Sequence, residues 1–208
     1  MSDDLPELPP EAFLKEDTSS DAQFYAQPRF VTHIDESAIA AVTNLYRTLF
    51  PPGGTVLDLM GSWVAHLPPE IGYAEVIGHG MNEAELKANP SYSRHFLQDL
   101  NADPMLPLAD ASIDAVAICV SVQYLTRPVV VFREVKRVLK PDGVFAITFS
   151  NRCFPTKAVA IWLHLPMGQH ARLVSLYLDR AGFASIVPRV IIPPGLPEDP
   201  LWAVTGRA

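Results

Sequence analysis

The chain has only two cysteines in 208 residues, Cys119 and Cys153. That is too few for a disulfide framework, and a reducing compartment is the expectation. Runs of lysine and arginine are absent and the formal net charge is −7. Neither nucleic acid nor a membrane surface is therefore an expected partner. No apolar stretch reaches ~18 residues before charge or proline breaks it, so no membrane span is read. The acidic, proline-rich opening "MSDDLPELPPEAFLKEDTSSD" has no cationic start and no apolar centre, and is not a secretory signal. A soluble, cytoplasmic protein is expected. The six histidines show no H-x-x-x-H or Cys/His ligand spacing, so no metal site is predicted.

What is present describes a globular chain. Hydrophobic residues make up 49% and charged residues 19%, and the length suits one domain with a substantial core. Residues 1–20 read as a flexible N-terminal arm, and residues 21–208 as a single domain. The 20 prolines punctuate periodic segments rather than interrupting them, at Pro51–Pro52, at Pro68–Pro69 and across "PPGLPEDP".

"HIDESAIAAVTNLYRTLF" has helical spacing, with Asp35 as its cap and Ile39, Val42, Tyr46 and Leu49 on one face. "TVLDLM" (55–60) is a continuous apolar strand of the kind covered on both faces. A short helix is predicted after Ser62. A strand in "YAEVIGHG" (73–80), a helix in "NEAELKAN" (82–89) and strands in "RHFLQDL" (94–100) and "IDAVAICV" (113–120) follow. "RPVVVFREVKRVLK" is an amphipathic helix stopped by Pro141–Asp142–Gly143, and Glu134 and Arg137 within it read as structural. "VFAITFS" (144–150) is a fifth strand. A split helical region with Gly182 as its C-cap leads to "FASIVPRVII" and "LWAVTGR". Two strands so closely joined must pair antiparallel, and Pro188 puts the former at or near an edge. The fold class is α/β: a doubly wound, seven-stranded, mostly parallel sheet with a terminal antiparallel pair.

The segment "DLNADPMLPLADASIDAVAICVSVQYLTRPVVVFREVKRVLKPDGVFAITFS" resembles the class I S-adenosylmethionine (SAM)-dependent methyltransferases of the small-molecule type. It is similar to the ubiquinone/menaquinone C-methyltransferase group, through the ordered series "LPLADASID", Ser121–Tyr124 and "REVKRVLKPDG". The resemblance covers residues 50–150, and the rest through topology only. It implies SAM as cofactor and methyl transfer to a small-molecule acceptor. Ligands in such sheets bind beyond the carboxyl ends of the strands. These ends carry Asp58–Ser62, Gly80–Asn82, Asp99–Asn101 and Ser121–Tyr124.

Two departures from the family pattern stand out. The family's acidic–x–Gly–x–Gly–x–Gly loop falls on Asp58, Met60, Ser62 and Val64, with Gly61 between. A shifted turn at Gly61–Ser62 is expected to aim backbone N–H groups and a helix N-terminus at the cofactor. The ribose-binding carboxylate falls on Gly80, leaving Asn82, or less favourably Glu83, to meet the ribose. The resemblance gives Asp99 to the adenine amine, with Leu100 and Asn101 beside it, Met81 on the adenine face and Ser121 at the mouth.

The expected catalytic groups are His33, the best base by its unperturbed pKa, and Tyr124. Expected substrate contacts are Tyr25 and Arg29 from an N-terminal lid, Gln123, and Asn151 and Arg152 after strand five. The two arginines suit an anionic substrate. Cys153 reads as a packing residue. Two rivals stay open: a catalytically silent methyltransferase-like binding module, and a short nicotinamide-dependent oxidoreductase, whose fingerprint "DLMGSW" lacks. Oligomeric state stays open too, a homo-oligomer included.

Overall fold

The computed structural model describes residues 5–208. Seven strands form one sheet in the order β3-β2-β1-β4-β5-β7-β6. They are β1 (Thr55–Asp58), β2 (Glu75–Gly80), β3 (Arg94–Leu97), β4 (Ile113–Cys119), β5 (Leu139–Ser150), β6 (Ala184–Ile192) and β7 (Leu201–Arg207). β1 to β5 run parallel. β7 is antiparallel to both β5 and β6, which leaves β6, with Pro188, on the edge. This is the architecture expected from the sequence.

The period-two alternation of the strands splits the core into two layers. Val56, Ala115, Ala117, Val144 and Ala146 point to one face, where they pack under α2 (Glu36–Leu49). Leu57, Val116, Ile118, Phe145 and Ile147 point to the other, under α4 (Pro128–Val138) and α6 (His170–Arg180). Alanines face α2 because Tyr46 and Phe50 stack there with ring centroids 4.6 Å apart and fill the space. Asp35 caps α2 by accepting the Ala38 amide at 2.8 Å. The short α3 (Glu83–Ala88) is capped by Asn82, and α5 (Ala160–His164) precedes the break at Pro166. Gly182, at φ 84°, closes α6 in the left-handed conformation.

Two local expectations differ. The helix predicted after Ser62 does not form; residues 59–74 are irregular. Here Met60 and His66 take left-handed backbone, and Pro68–Pro69 lack amide hydrogens for a ladder. β5 also begins at Leu139, earlier than expected, because the chain passes from α4 straight into the sheet through a kink with Asp142 at φ 61°. Glu134 and Arg137 are structural: Glu134 accepts the Leu106 amide, and Arg137 donates to the carbonyls of Leu106 and Leu108.

Residues 1–4 of the expected arm lie outside the described residues. From residue 5 onward the arm lies on the domain: Leu5 joins the core under α6, and Lys15 bridges to Val159. A first short helix, α1 (Asp21–Phe24), follows. It is anchored by Lys157, whose fully buried ammonium donates to the Ser19 carbonyl at 2.6 Å and pairs with Asp17 and Asp21.

Candidate active site

Beyond the carboxyl ends of β1, β2, β3 and β4 lies a cavity of about 590 Å³. Residues 21–35 cover it, and the strand tips hold this cover. The Asn82 amide group donates to the carbonyls of Tyr25 (2.9 Å) and Ala26 (3.1 Å). Glu85 accepts the Arg29 amide at 2.6 Å, Asn101 donates to Asp21 at 3.0 Å, and the Trp63 indole donates to the Val31 carbonyl at 3.1 Å. Trp63 is thereby turned toward the cover and Phe30, leaving the crevice beside β1 open.

The loop after β1 is built around a residue that sequence reasoning passed over. His79, on β2 and 1% exposed, accepts the Met60 amide on Nδ1 at 3.0 Å, while its own carbonyl accepts the Gly61 amide at 2.7 Å. Nε2 lies 3.0 Å from the Gln98 carbonyl, so Nε2 carries the proton and the ring is neutral. Burial pushes its pKa down to about 4. Met60, at φ 60°, keeps the left-handed turn that a family glycine would take.

Pinning the loop this way brings it against β2 at Gly80. A Cβ at position 80 would stand 2.6 Å from the Gly61 carbonyl oxygen, so no acid fits there. The pinned loop thus occupies the space that a side chain at position 80 would need. It also overturns the expected anion cradle. The Met60 and Gly61 amides face β2, no helix starts after Ser62, and the Ser62 hydroxyl donates to Glu85 at 2.6 Å. Asn89 holds the Ser62 carbonyl.

Asp58 is 3% exposed, and burial raises its pKa to about 7, against the lowering pull of the Tyr92 hydroxyl that donates to it at 2.6 Å. Asp99 accepts the backbone amides of Asn101 and Ala102. Met81, Leu100 and Ser121 line the cavity with them. The Ser121 hydroxyl is buried and has no partner among the described residues. Asn82, expected to meet a ribose, is instead committed: its oxygen caps α3 and its nitrogen holds the cover. Glu83 pairs with Lys87 on the surface. Asn101 is likewise engaged, accepting from Thr126 and donating to Asp21 and the Tyr124 carbonyl.

On the other side, Tyr25, Arg29, His33, Tyr124 and Arg152 line the cavity. The His33 ring packs edge-on against Phe154 at 5.3 Å, and partial burial lowers its pKa. The Tyr124 oxygen accepts the Phe154 amide at 2.8 Å, and burial pushes its pKa up to about 12. Gln123 and Asn151 are corrections. Gln123 is buried behind the wall and braces the Val120 carbonyl, and Asn151 is exposed beside Ser150; neither lines the cavity. Cys153 does line it, with its thiol pKa raised by burial.

Sequence reasoning missed His66, Glu85 and Val120, all of which line the cavity. Val120, β-branched at φ 51°, is a strained residue at the end of β4. Such strain costs about 1–3 kcal/mol and persists where surrounding bonds over-determine it. Here the Thr148 carbonyl holds its amide and Gln123 its carbonyl.

Residues 60–147 match the methyltransferase domain family. No curated protein matches the chain. Among solved structures, it is similar to a SAM-dependent methyltransferase of Mesorhizobium loti, with 19% identity over 81% of this chain and 98% of that one, and a TM-score of 0.57. A methyltransferase of Haloferax volcanii, solved with the Trm112 methyltransferase activator, shares 17% identity over 83% of this chain and 91% of that chain, with a TM-score of 0.61. Phosphoethanolamine N-methyltransferase 2 of Haemonchus contortus, in complex with SAM, shares 13% identity over 81% of this chain and 52% of that chain, with a TM-score of 0.59. The domain match and the shared fold agree with the family, enzyme class and cofactor expected from the sequence.

Proposed function

We propose that this class I SAM-dependent methyltransferase transfers a methyl group to a small-molecule acceptor, through a cofactor loop pinned by His79. The observation that carries the reading is the covered cavity at the strand ends, with residues 21–35 bonded across it. A cover bonded across the strand tips favours a small guest over a polymer.

The lining is suited to SAM. The buried Ser121 hydroxyl lines the cavity and lacks a partner among the described residues, so it is free to bond a ligand atom there. Among the described residues no cationic side chain pairs with Asp58 or Asp99, which favours a cofactor bearing positive charge. Asp99 and Leu100 would hold the adenine end, and Asp58, Gly61 and Ser121 the amino-acid end. SAM supplies the methyl group already activated on its sulfonium. The chain's own task is orientation and exclusion of water. Trp63, Val31 and Phe154 wall the acceptor side, and His33 stands at the mouth to take a proton from the acceptor.

The test is incubation of the protein with methyl-labelled SAM and a cell extract divided into dialysable and retained fractions. Label in the dialysable fraction is expected. Label confined to retained polymer would contradict a small-molecule acceptor, and no label in either fraction would favour the silent binding module.

A further inference from the structure

We infer that the methyl acceptor is an amine on an apolar body, held between His33 and His66. The inference rests on the methyltransferase reading of the cavity and names the acceptor class for it.

The first observation is that Arg29 and Arg152, the arginines that line the cavity, are both already engaged. Arg152 is paired with Asp199 at 2.7 Å. The Arg29 guanidinium donates to the Phe24 and Gln27 carbonyls and lies over the rings of Phe24 (4.7 Å) and Phe154 (5.3 Å). An anionic acceptor would have to displace these contacts to gain a partner. The anionic substrate expected from the two arginines is thus disfavoured by their own contacts.

Negative charge, by contrast, is left over. Glu85, Asp35 and Asp199 line the cavity against the two guanidiniums of Arg29 and Arg152, and among the described residues Glu85 accepts from the Arg29 amide and the Ser62 hydroxyl, both neutral donors. Asp35 and Asp199 together share the single cation of Arg152. An ammonium group entering from solvent is drawn to such a wall.

The second observation is the pair of imidazoles. Neither the His33 nor the His66 ring hydrogen-bonds to a described residue, and both line the cavity. They are close enough for charge on one to disfavour charge on the other. His66 sits at φ 51°, a conformation costly for a residue with a side chain, and the Thr43 hydroxyl fixes its carbonyl at 2.9 Å. Burial drives the His66 pKa down to about 4, so its ring stays neutral, with one nitrogen a donor and the other an acceptor. That suits an orienting contact to an N–H. His33, open to solvent on its outer side, takes the proton and passes it to water.

The step balances. The ammonium gives one proton to His33, and the freed nitrogen lone pair forms the N–C bond. The S–C bond of the sulfonium breaks with its electron pair retained on sulfur, leaving a neutral thioether and a methylated ammonium.

The probes are tryptamine, tryptophol and indoleacetate, one flat body carrying an amine, a hydroxyl or a carboxylate. Each is titrated calorimetrically into the full chain saturated with S-adenosylhomocysteine. Tryptamine is expected to bind about tenfold more tightly than tryptophol, and indoleacetate to give no heat. His66→Gly, which suits the left-handed backbone, is expected to weaken tryptamine about tenfold while leaving S-adenosylhomocysteine affinity and Tm unchanged. Glu85→Gln is expected to narrow the gap between tryptamine and tryptophol. Indoleacetate binding as well as tryptamine, no probe binding to a protein that takes up S-adenosylhomocysteine, or an unaltered His66→Gly would each overturn the inference. Failure to bind S-adenosylhomocysteine itself would overturn the cofactor reading beneath it, and this inference with it.

Discussion

The Nδ1 atom of His79 accepts the amide hydrogen of Met60 at 3.0 Å, tying the loop after β1 to the neighbouring strand. His79→Ala removes that bond, the contact to Gln98 and the ring's packing on Phe96. A loss of about 2–4 kcal/mol in urea unfolding is expected, with weakened S-adenosylhomocysteine binding. His79→Asn, which keeps an acceptor near the Nδ1 position, should recover part of both. The pH dependence has a definite sign. The folded pKa is depressed to about 4, so the unfolded chain binds more protons below the ordinary histidine value. The stability conferred by neutral His79 is present above about pH 6.5 and falls as pH drops toward 4.

Gly80→Ala tests whether the two departures from the family pattern are one change. The added Cβ meets backbone rather than a yielding side chain, 2.6 Å from the Gly61 oxygen. A destabilisation of about 1–3 kcal/mol is expected. Gly80→Glu, which restores the family's acid, should bind S-adenosylhomocysteine less well than the parent. Tighter binding by Gly80→Glu would show that the loop is free to move aside.

Asp58→Asn is expected to stabilise the protein. Burial raises the carboxyl pKa to about 7, so the folded state holds a proton that the unfolded state releases between about pH 4 and 7. Stability conferred by Asp58 therefore declines as pH rises through that window. The variant should gain up to about 4 kcal/mol near pH 8 and almost nothing near pH 4, as read from unfolding curves at both. A gain independent of pH would contradict this origin.

Lys157→Ala should loosen the cover. It leaves Asp17 and Asp21 facing a buried gap and frees the Ser19 carbonyl. A cost of about 3 kcal/mol is expected, together with faster tryptic cleavage at Arg29. Unchanged cleavage would mean that the remaining contacts of residues 21–35 suffice.

The sheet was legible because its strands announce themselves by apolar continuity: β1, β4 and β5 are covered on both faces, and their residues can face either way and stay buried. The antiparallel end was legible from the short link between "FASIVPRVII" and "LWAVTGR". The rim of the cavity was legible as well, since strand ends carry the ligand in this topology. The partners at that rim were not. Asn82 and Asn101 have the chemistry to meet a ribose or an adenine, but long-range bonds to residues 21–25 and 124–126 claim them. Gly80 stood out only as the place of a missing acid and His79 not at all, because only the crossing of the loop over β2 gives them their roles. His66 lies in a segment predicted as helix, and its projection into the cavity depends on a left-handed backbone that no local pattern signals.

The central claim is that the crevice beside the His79-pinned loop holds SAM, and isothermal titration of the full chain with SAM tests it most directly. The account predicts one-to-one binding that Ser121→Ala weakens without lowering Tm. Absence of both heat and thermal shift with SAM and with S-adenosylhomocysteine would contradict it.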